Sequence, residues 1–319
     1  MIPFSKPEIK LTASDMKKIQ KSINSGWFCK GQYVKKLENH FKEKFNVKYA
    51  VACSNCTSGL IIAFKVLGIK NKFIGVQSFT WPSIKLAIEY SQNFPIWLDI
   101  DKETWLIKDK KNNGIDLSDI IVLTDTFGNE SNSFTKKPII VDAAHGYGLP
   151  NLGHRGLIEV VSFSLTKVIT GGQGGIILFN DDNLYENIQE FVDLSAKMME
   201  ISAYLCLKSI SEYELKQKSK LNIIKQYRDF IKIPFKEQKI NGFTNYSVFS
   251  ILLESKKVRD KIVQKFIKNN IEPKTYYSPL IMNSNLINTE WVFNRILSLP
   301  IYSEIEKEIE KICKLINEA

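Results

Sequence analysis

The chain has 319 residues, 44% hydrophobic and 24% charged, with 44 Lys and Arg against 34 Asp and Glu and a formal net charge of +10. That length can bury a large core and favours two domains, and the composition is that of a globular protein rather than a disordered or fibrous one. The basic residues are scattered among Glu and Asp without a focused block, which argues against a nucleic-acid partner, and no apolar run reaches membrane-spanning length, which argues against a membrane partner.

Five cysteines (Cys29, Cys53, Cys56, Cys206 and Cys313) are an odd number without a disulfide-framework spacing, as expected in a reducing compartment. The first residues contain no apolar signal core, so a cytoplasmic location is expected. Cys53 and Cys56 form a C-x-x-C pair, but no second pair or His cluster accompanies it, which argues against zinc. A modest positive field suits a phosphorylated substrate.

In chain order, the apolar runs predict strands at 49–53, 73–76, 95–98, 120–124, 138–141, 158–163 and 175–179. Most are continuous β-branched or aromatic runs, the pattern of strands buried on both faces. Helices are predicted between them at 57–67, and at 82–90 with Pro82 in the first turn. This alternation predicts an α/β fold with a mostly parallel central sheet. From about Asn183 the pattern changes to long Lys/Glu-rich helices, with a strand at 246–253 and helices at 256–269 and 305–316. The expected division is a large α/β domain over residues 1–200 and a smaller α+β domain over 201–319.

The candidate chemistry lies in the turns after the strands. Ser54-Asn55-Cys56-Thr57 joins a strand to a helix, and the free N–H groups of a helix start can seat a phosphate; simple capping by Ser54, Asn55 or Thr57 is the structural reading of the same residues. Trp81, in Ser78-Phe79-Thr80-Trp81-Pro82, is placed to stack on a planar ring or to fill a core or an interface. Asp142 ends the apolar run Ile139-Ile140-Val141, where a carboxylate needs a partner or solvent. His145 follows, as a hydrogen-bonding group of a site or as a structural histidine. Ser162-Phe163-Ser164-Leu165-Thr166-Lys167 then runs into Gly171-Gly172-Gln173-Gly174-Gly175. An Asp at a strand end followed by a Lys in a Ser- and Gly-rich turn suits pyridoxal phosphate (PLP). Lys167 would bond to its aldehyde, Asp142 would keep its ring nitrogen protonated, His145 would reach its 3′-oxygen or the substrate, and Ser162 would help hold its phosphate.

In this order, these residues resemble the DegT/DnrJ/EryC1/StrS sugar aminotransferases, of the fold-type-I PLP class, over nearly the whole chain. Ser25-Gly26-Trp27-Phe28 with Gly31 and Leu37-Glu38 is similar to the family's N-terminal segment, residues 53–60 to its phosphate turn, and Phe79-Thr80-Trp81 to its ring-stacking turn. Asp142-Ala143-Ala144-His145, Ser162-Phe163 through Lys167, Gly174-Gly175, Tyr277-Ser278-Pro279-Leu280 and Leu297-Ser298-Leu299-Pro300 complete the set. The resemblance implies transfer of an amino group, usually from glutamate, to a keto group on a nucleotide-linked deoxysugar. It implies a homodimer with active sites at the subunit interface. Lys167 favours transamination over the dehydratase branch, which carries His there. Several features depart from the family. Cys56 replaces Gly, residues 128–138 are short for an intervening helix, and a loop after Gly175 is missing. Ser195 stands where an Asn reaches the partner's PLP phosphate, and Ile281 replaces a His. These departures leave a catalytically silent PLP-binding or sensory protein as the alternative.

Overall fold

The computed structural model describes residues 1–108, 113–132, 135–281 and 285–319. Helix α1 (Ala13–Asn24) starts in a capping box, with the Thr12 hydroxyl accepting from Asp15 N and the Asp15 carboxylate accepting from Thr12 N. Helix α2 (Gln32–Phe45) buries Tyr33, Val34, Leu37, Phe41 and Phe45, an apolar stripe at helical spacing. Strand β1 (Tyr49–Cys53), α3 (Cys56–Val66), β2 (Phe73–Gln77), α4 (Ser83–Tyr90), β3 (Phe94–Leu98), α5 (Asn113–Leu117) and β4 (Ile120–Thr124) follow, then β5 (Ile139–Asp142), β6 (Ile158–Ser162), β7 (Gly175–Phe179), α6 (Tyr185–Ser195) and α7 (Glu200–Ser211).

The seven strands form one sheet in the order β1-β7-β6-β5-β4-β2-β3. Only β7 runs against its neighbours, so the expected mostly parallel α/β sheet is present. Strands β4 to β7 are buried along their whole length, as their largely apolar runs require, with Glu159 in β6 buried against Arg155. One face packs against α2 and α7 through Leu37, Phe41, Phe163, Leu178 and Tyr204. The other packs against α3, α4 and α6 through Leu60, Phe64, Ile84, Ile188 and Val192.

Two helix starts differ from expectation. Helix α3 begins one residue early because the Asn55 side chain caps it, accepting from Ser58 N at 2.8 Å. Pro82 is the N-cap of α4 rather than part of its first turn. Residues 133–134, within the short 128–138 connection, lie outside the described residues.

Helix α8 (Tyr213–Phe230), β8 (Phe235–Glu237), β9 (Phe249–Leu253), α9 (Lys256–Lys268), α10 (Ile287–Phe293), β10 (Ile296–Leu299) and α11 (Ile309–Asn317) complete the chain. The three strands pair antiparallel in the order β10-β9-β8 and share a core with α8, α9 and α11. The strand expected from Tyr246 begins at Phe249. Tyr246 has a left-handed backbone (φ 45°) and Ser247 N donates to the Asn245 side chain, so neither residue continues a ladder. The last helix is preceded by a 3-10 turn over Ser303–Glu308 and becomes α-helical at Ile309. Among the described residues, no helix is long and apolar enough to cross a membrane.

An aromatic cluster joins the two sheets: Phe79, Trp105 and Phe127 from the large sheet's loops pack with Val248, Leu252 and Tyr277. Beside it, Gly128 (φ 83°) lies so close to Asn245 that a Cβ would sit 1.8 Å from Oδ1. Asn245 in turn donates from Nδ2 to the carbonyls of His145, at 2.6 Å, and Tyr147, at 2.9 Å. Gly128→Ala combines an unfavourable φ with this clash, so it should destabilise the protein by about 2 kcal/mol or more. Urea unfolding measures this; a wild-type midpoint would show that the joint gives way at no cost.

Candidate active site

The carboxyl ends of β1, β2, β5 and β6 all lie at one edge of the sheet, where β7 begins. This is the edge at which open α/β sheets bind ligands. Gly175 pairs with Cys53 on one side and Ser162 on the other. A Cβ on Gly175 would lie 2.8 Å from the Asn55 carbonyl carbon and from Cys56 N, so glycine lets the 54–56 turn close onto the sheet.

Asp142 is buried at the end of β5. Its Oδ1 accepts from Ala144 N at 3.1 Å and from the Cys56 thiol at 3.7 Å, while Oδ2 makes no hydrogen bond among the described residues. Burial pushes its carboxyl up, and the nearby Lys167 ammonium pulls it back. Burial likewise pushes the Lys167 amine down, and Asp142 opposes this. Lys167 Nζ lies 2.8 Å from His145 Nε2. His145 is held well below the usual histidine range, first by burial and then by Lys167, and so is neutral. Burial and Asp142 hold the Cys56 thiol well above its ordinary range, so it remains a donor to the carboxylate.

Below this group lies a buried ion triad. Arg155 donates to both oxygens of Asp125, at 2.6 and 3.0 Å, and to Glu159 Oε2 at 2.6 Å. Asp125 N then donates to the Asp142 carbonyl at 3.3 Å, which ties the end of β4 to the end of β5.

The other expected residues are placed less uniformly. Cys56 and Thr57 open α3 half-buried, and their N–H groups stand at the two positions before the Asn55-capped Ser58, where a helix supplies no internal acceptor. Ser162 is buried at the end of β6, with its hydroxyl accepting from Ser164 N at 3.3 Å. Trp81 is 54% exposed at the rim, its ring edge-on to Tyr277 at 6.3 Å. Ser195 is not brought into this group: it is exposed at the end of α6, and its hydroxyl donates to the Phe191 carbonyl of its own helix.

Two contacts come from residues whose part was not legible. Ser247 Oγ is hydrogen-bonded to His145 Nδ1, and Tyr277 OH lies 3.4 Å from His145 Nε2. Asn-Tyr-Ser ahead of a strand carries only a turn signal, and Tyr277 had been noted only as part of a Tyr-x-Pro-Leu segment.

The donor set fits PLP. A carboxylate with one oxygen free, a half-buried lysine, free helix N–H groups and an aromatic rim stand at one edge, and each answers one part of that molecule. Comparisons with known proteins agree. The model of the DegT/DnrJ/EryC1/StrS aminotransferase family matches residues 10–317. The chain is 26% identical to the GDP-perosamine synthase of Escherichia coli O157:H7, over 95% of this chain and 87% of that protein. It is 24% identical to the dTDP-4-amino-4,6-dideoxy-D-glucose transaminase of Escherichia coli, over 99% and 98%. Among solved structures, Spr1654 of Streptococcus pneumoniae in its PMP form superposes with a TM-score of 0.87 at 18% identity, covering 100% of this chain and 98% of that one, and its PLP form superposes with 0.86. The chain therefore belongs to the DegT/DnrJ/EryC1/StrS aminotransferase family, with PLP as its cofactor.

Proposed function

We propose that this aminotransferase moves an amino group from glutamate to the keto group of a nucleotide-linked deoxysugar. It would act in the cytoplasm, in amino-sugar synthesis for a surface polysaccharide such as a lipopolysaccharide O-antigen. The observation that carries the reading is the meeting of buried Asp142 and His145 with half-buried Lys167 at the ligand edge of the sheet. The sugar substrate is supported by the activities named for the two Escherichia coli relatives. An anionic acceptor is supported by Lys220 in a crevice beside Lys167, where Lys6 and Lys216 are paired with Glu304 and Glu212 and Glu8 also lines the wall. Burial holds Lys220 there down to about 8.

PLP, when bound, supplies an aldehyde that takes up the amino group and an electron-poor ring that stabilises negative charge at the donor's α-carbon. Asp142 would hold the ring nitrogen's proton through its carboxylate. Lys167, once its amine is free, would take the proton from the donor's α-carbon and deliver it to the carbon that had been the cofactor's aldehyde. His145 hydrogen-bonds the 3′-oxygen or the substrate. The N–H groups of Cys56 and Thr57, with the hydroxyls of Thr57 and Ser162, would hold the phosphate, and Trp81 would stack on the ring.

A homodimer with shared active sites is supported by exposed Trp27, Phe28, Leu194 and Met199. They gather where the Phe28 carbonyl accepts from Glu200 N and Lys30 pairs with Asp193, beside Ser195. A second copy would cover this apolar area and bring Ser195 towards its partner's cofactor phosphate.

The experiment is the visible absorption of the purified protein with added PLP, before and after glutamate. A protein-bound band that glutamate bleaches is expected. A band indifferent to glutamate would favour a silent cofactor-binding protein or another donor. Lys167→Ala should abolish turnover, and steady-state transamination in that variant would overturn the assignment of Lys167. Asp142→Asn should keep the fold, read by circular dichroism, and lower kcat by about 100-fold or more. A near-normal rate would remove Asp142 from the mechanism.

A further inference from the structure

Lys167, His145 and Ser247 form an unbroken hydrogen-bonded line. Nζ meets Nε2 at 2.8 Å, and Nδ1 meets the Ser247 hydroxyl. Ser247 also lines the crevice beside Lys167, whose volume of about 60 Å³ has room for more than one water. The direction of each bond follows from what each group can offer. A charged Lys167 has only hydrogens to give, so Nε2 must be bare, the imidazole proton sits on Nδ1, and Ser247 Oγ accepts it. A neutral Lys167 has a lone pair. Nε2–H then donates to Nζ, and the Ser247 hydroxyl donates to Nδ1. A hydroxyl at Nδ1 serves both states without moving.

We propose that His145 and Ser247 are a proton outlet for Lys167. The proton passes from Nζ to Nε2, the Nδ1 proton passes to Ser247 Oγ, and the hydroxyl's own proton leaves to water in the crevice. Lys167 loses one proton, and the imidazole changes tautomer without gaining charge. This rests on the reading of Lys167 as the reactive amine, which must be neutral to attack an aldehyde. Ser247 acts through His145 and is a positioning residue.

The surroundings favour exchange between neutral tautomers. Burial and Lys167 suppress the imidazolium form of His145. Burial and Asp142 act on Lys167 in opposite directions, which keeps both of its forms within reach. Cys56 and Asp142 face Lys167, while Tyr277 and Lys220 face His145. The Cys56 and Tyr277 protons are held on by burial. Burial holds Lys220 down to about 8, with Glu8 opposing and Lys216 adding to the shift, and among the described residues it makes no hydrogen bond to the imidazole.

The chain has three histidines, so the test is 15N NMR of the full-length, cofactor-free protein with labelled histidine, the His145 signals being assigned by their loss in His145→Gln. Rising pH should convert His145 from the Nδ1–H to the Nε2–H tautomer in one step below the ordinary lysine range. Ser247→Ala should lose that step, Ser247→Thr should keep it, and Lys167→Met should lose it with Ser247 intact. A single tautomer throughout in the wild type overturns the proposal. So does a wild-type step in either Ser247→Ala or Lys167→Met. No cofactor is present in these spectra, so a failure of the aminotransferase reading would appear in the PLP absorption experiment and leave this result standing.

Discussion

Asp142 and Lys167 lie near each other at one edge of the sheet, and each opposes the shift that burial imposes on the other. A carboxylate at Asp142 or an ammonium at Lys167 alone would cost several kcal/mol to desolvate and would be driven to its neutral form. Together they leave both groups chemically poised: the carboxyl is raised, the amine is lowered, and each opposes the other's shift. A ring cation placed between them would inherit the carboxylate, and Lys167 would be released from it.

The architecture keeps this pair in place from two sides. Beneath it, Arg155 ties Asp125 to Glu159, and Asp125 reaches the Asp142 carbonyl, so the strand ends cannot slide independently. Above it, the segment before β9 grips the His145 loop through Asn245 and Ser247, and the close approach of Gly128 makes room for that grip. The small antiparallel sheet therefore does more than cover the large one. The segment before β9 supplies the Ser247 hydroxyl that hydrogen-bonds His145 Nδ1, so movement of that segment would be felt at Lys167.

Much of this was legible because buried parallel strands write themselves as largely apolar runs. Ile120–Thr124, Ile139–Asp142 and Ile158–Ser162 are buried parallel strands, and Asp125, Asp142 and the turn leading to Lys167 stand at or just after their ends. Asp142 and Lys167 could be paired by motif because both sit next to such runs. Ser247 could not, since nothing local distinguishes a serine that meets a histidine about a hundred residues away from one that simply ends a turn. The strand start at Phe249 rather than Tyr246 has the same cause: Tyr246 has the β-propensity of a strand residue, but the Asn245 clamp imposes a left-handed backbone there. Short β8 is three residues, two of them charged, and carries no strand pattern, while β10 reads in the sequence only as part of the Leu297–Pro300 segment. Ser195 was expected from family position alone, and a single chain shows it only as an exposed helix end.

The central proposal is that Lys167 is the amine that meets the cofactor's aldehyde. It is tested most directly by trapping bound PLP with borohydride and locating the modified residue by peptide mass spectrometry. The account predicts a single stoichiometric modification at Lys167. Modification at Lys220 or at surface lysines in place of Lys167 would contradict it.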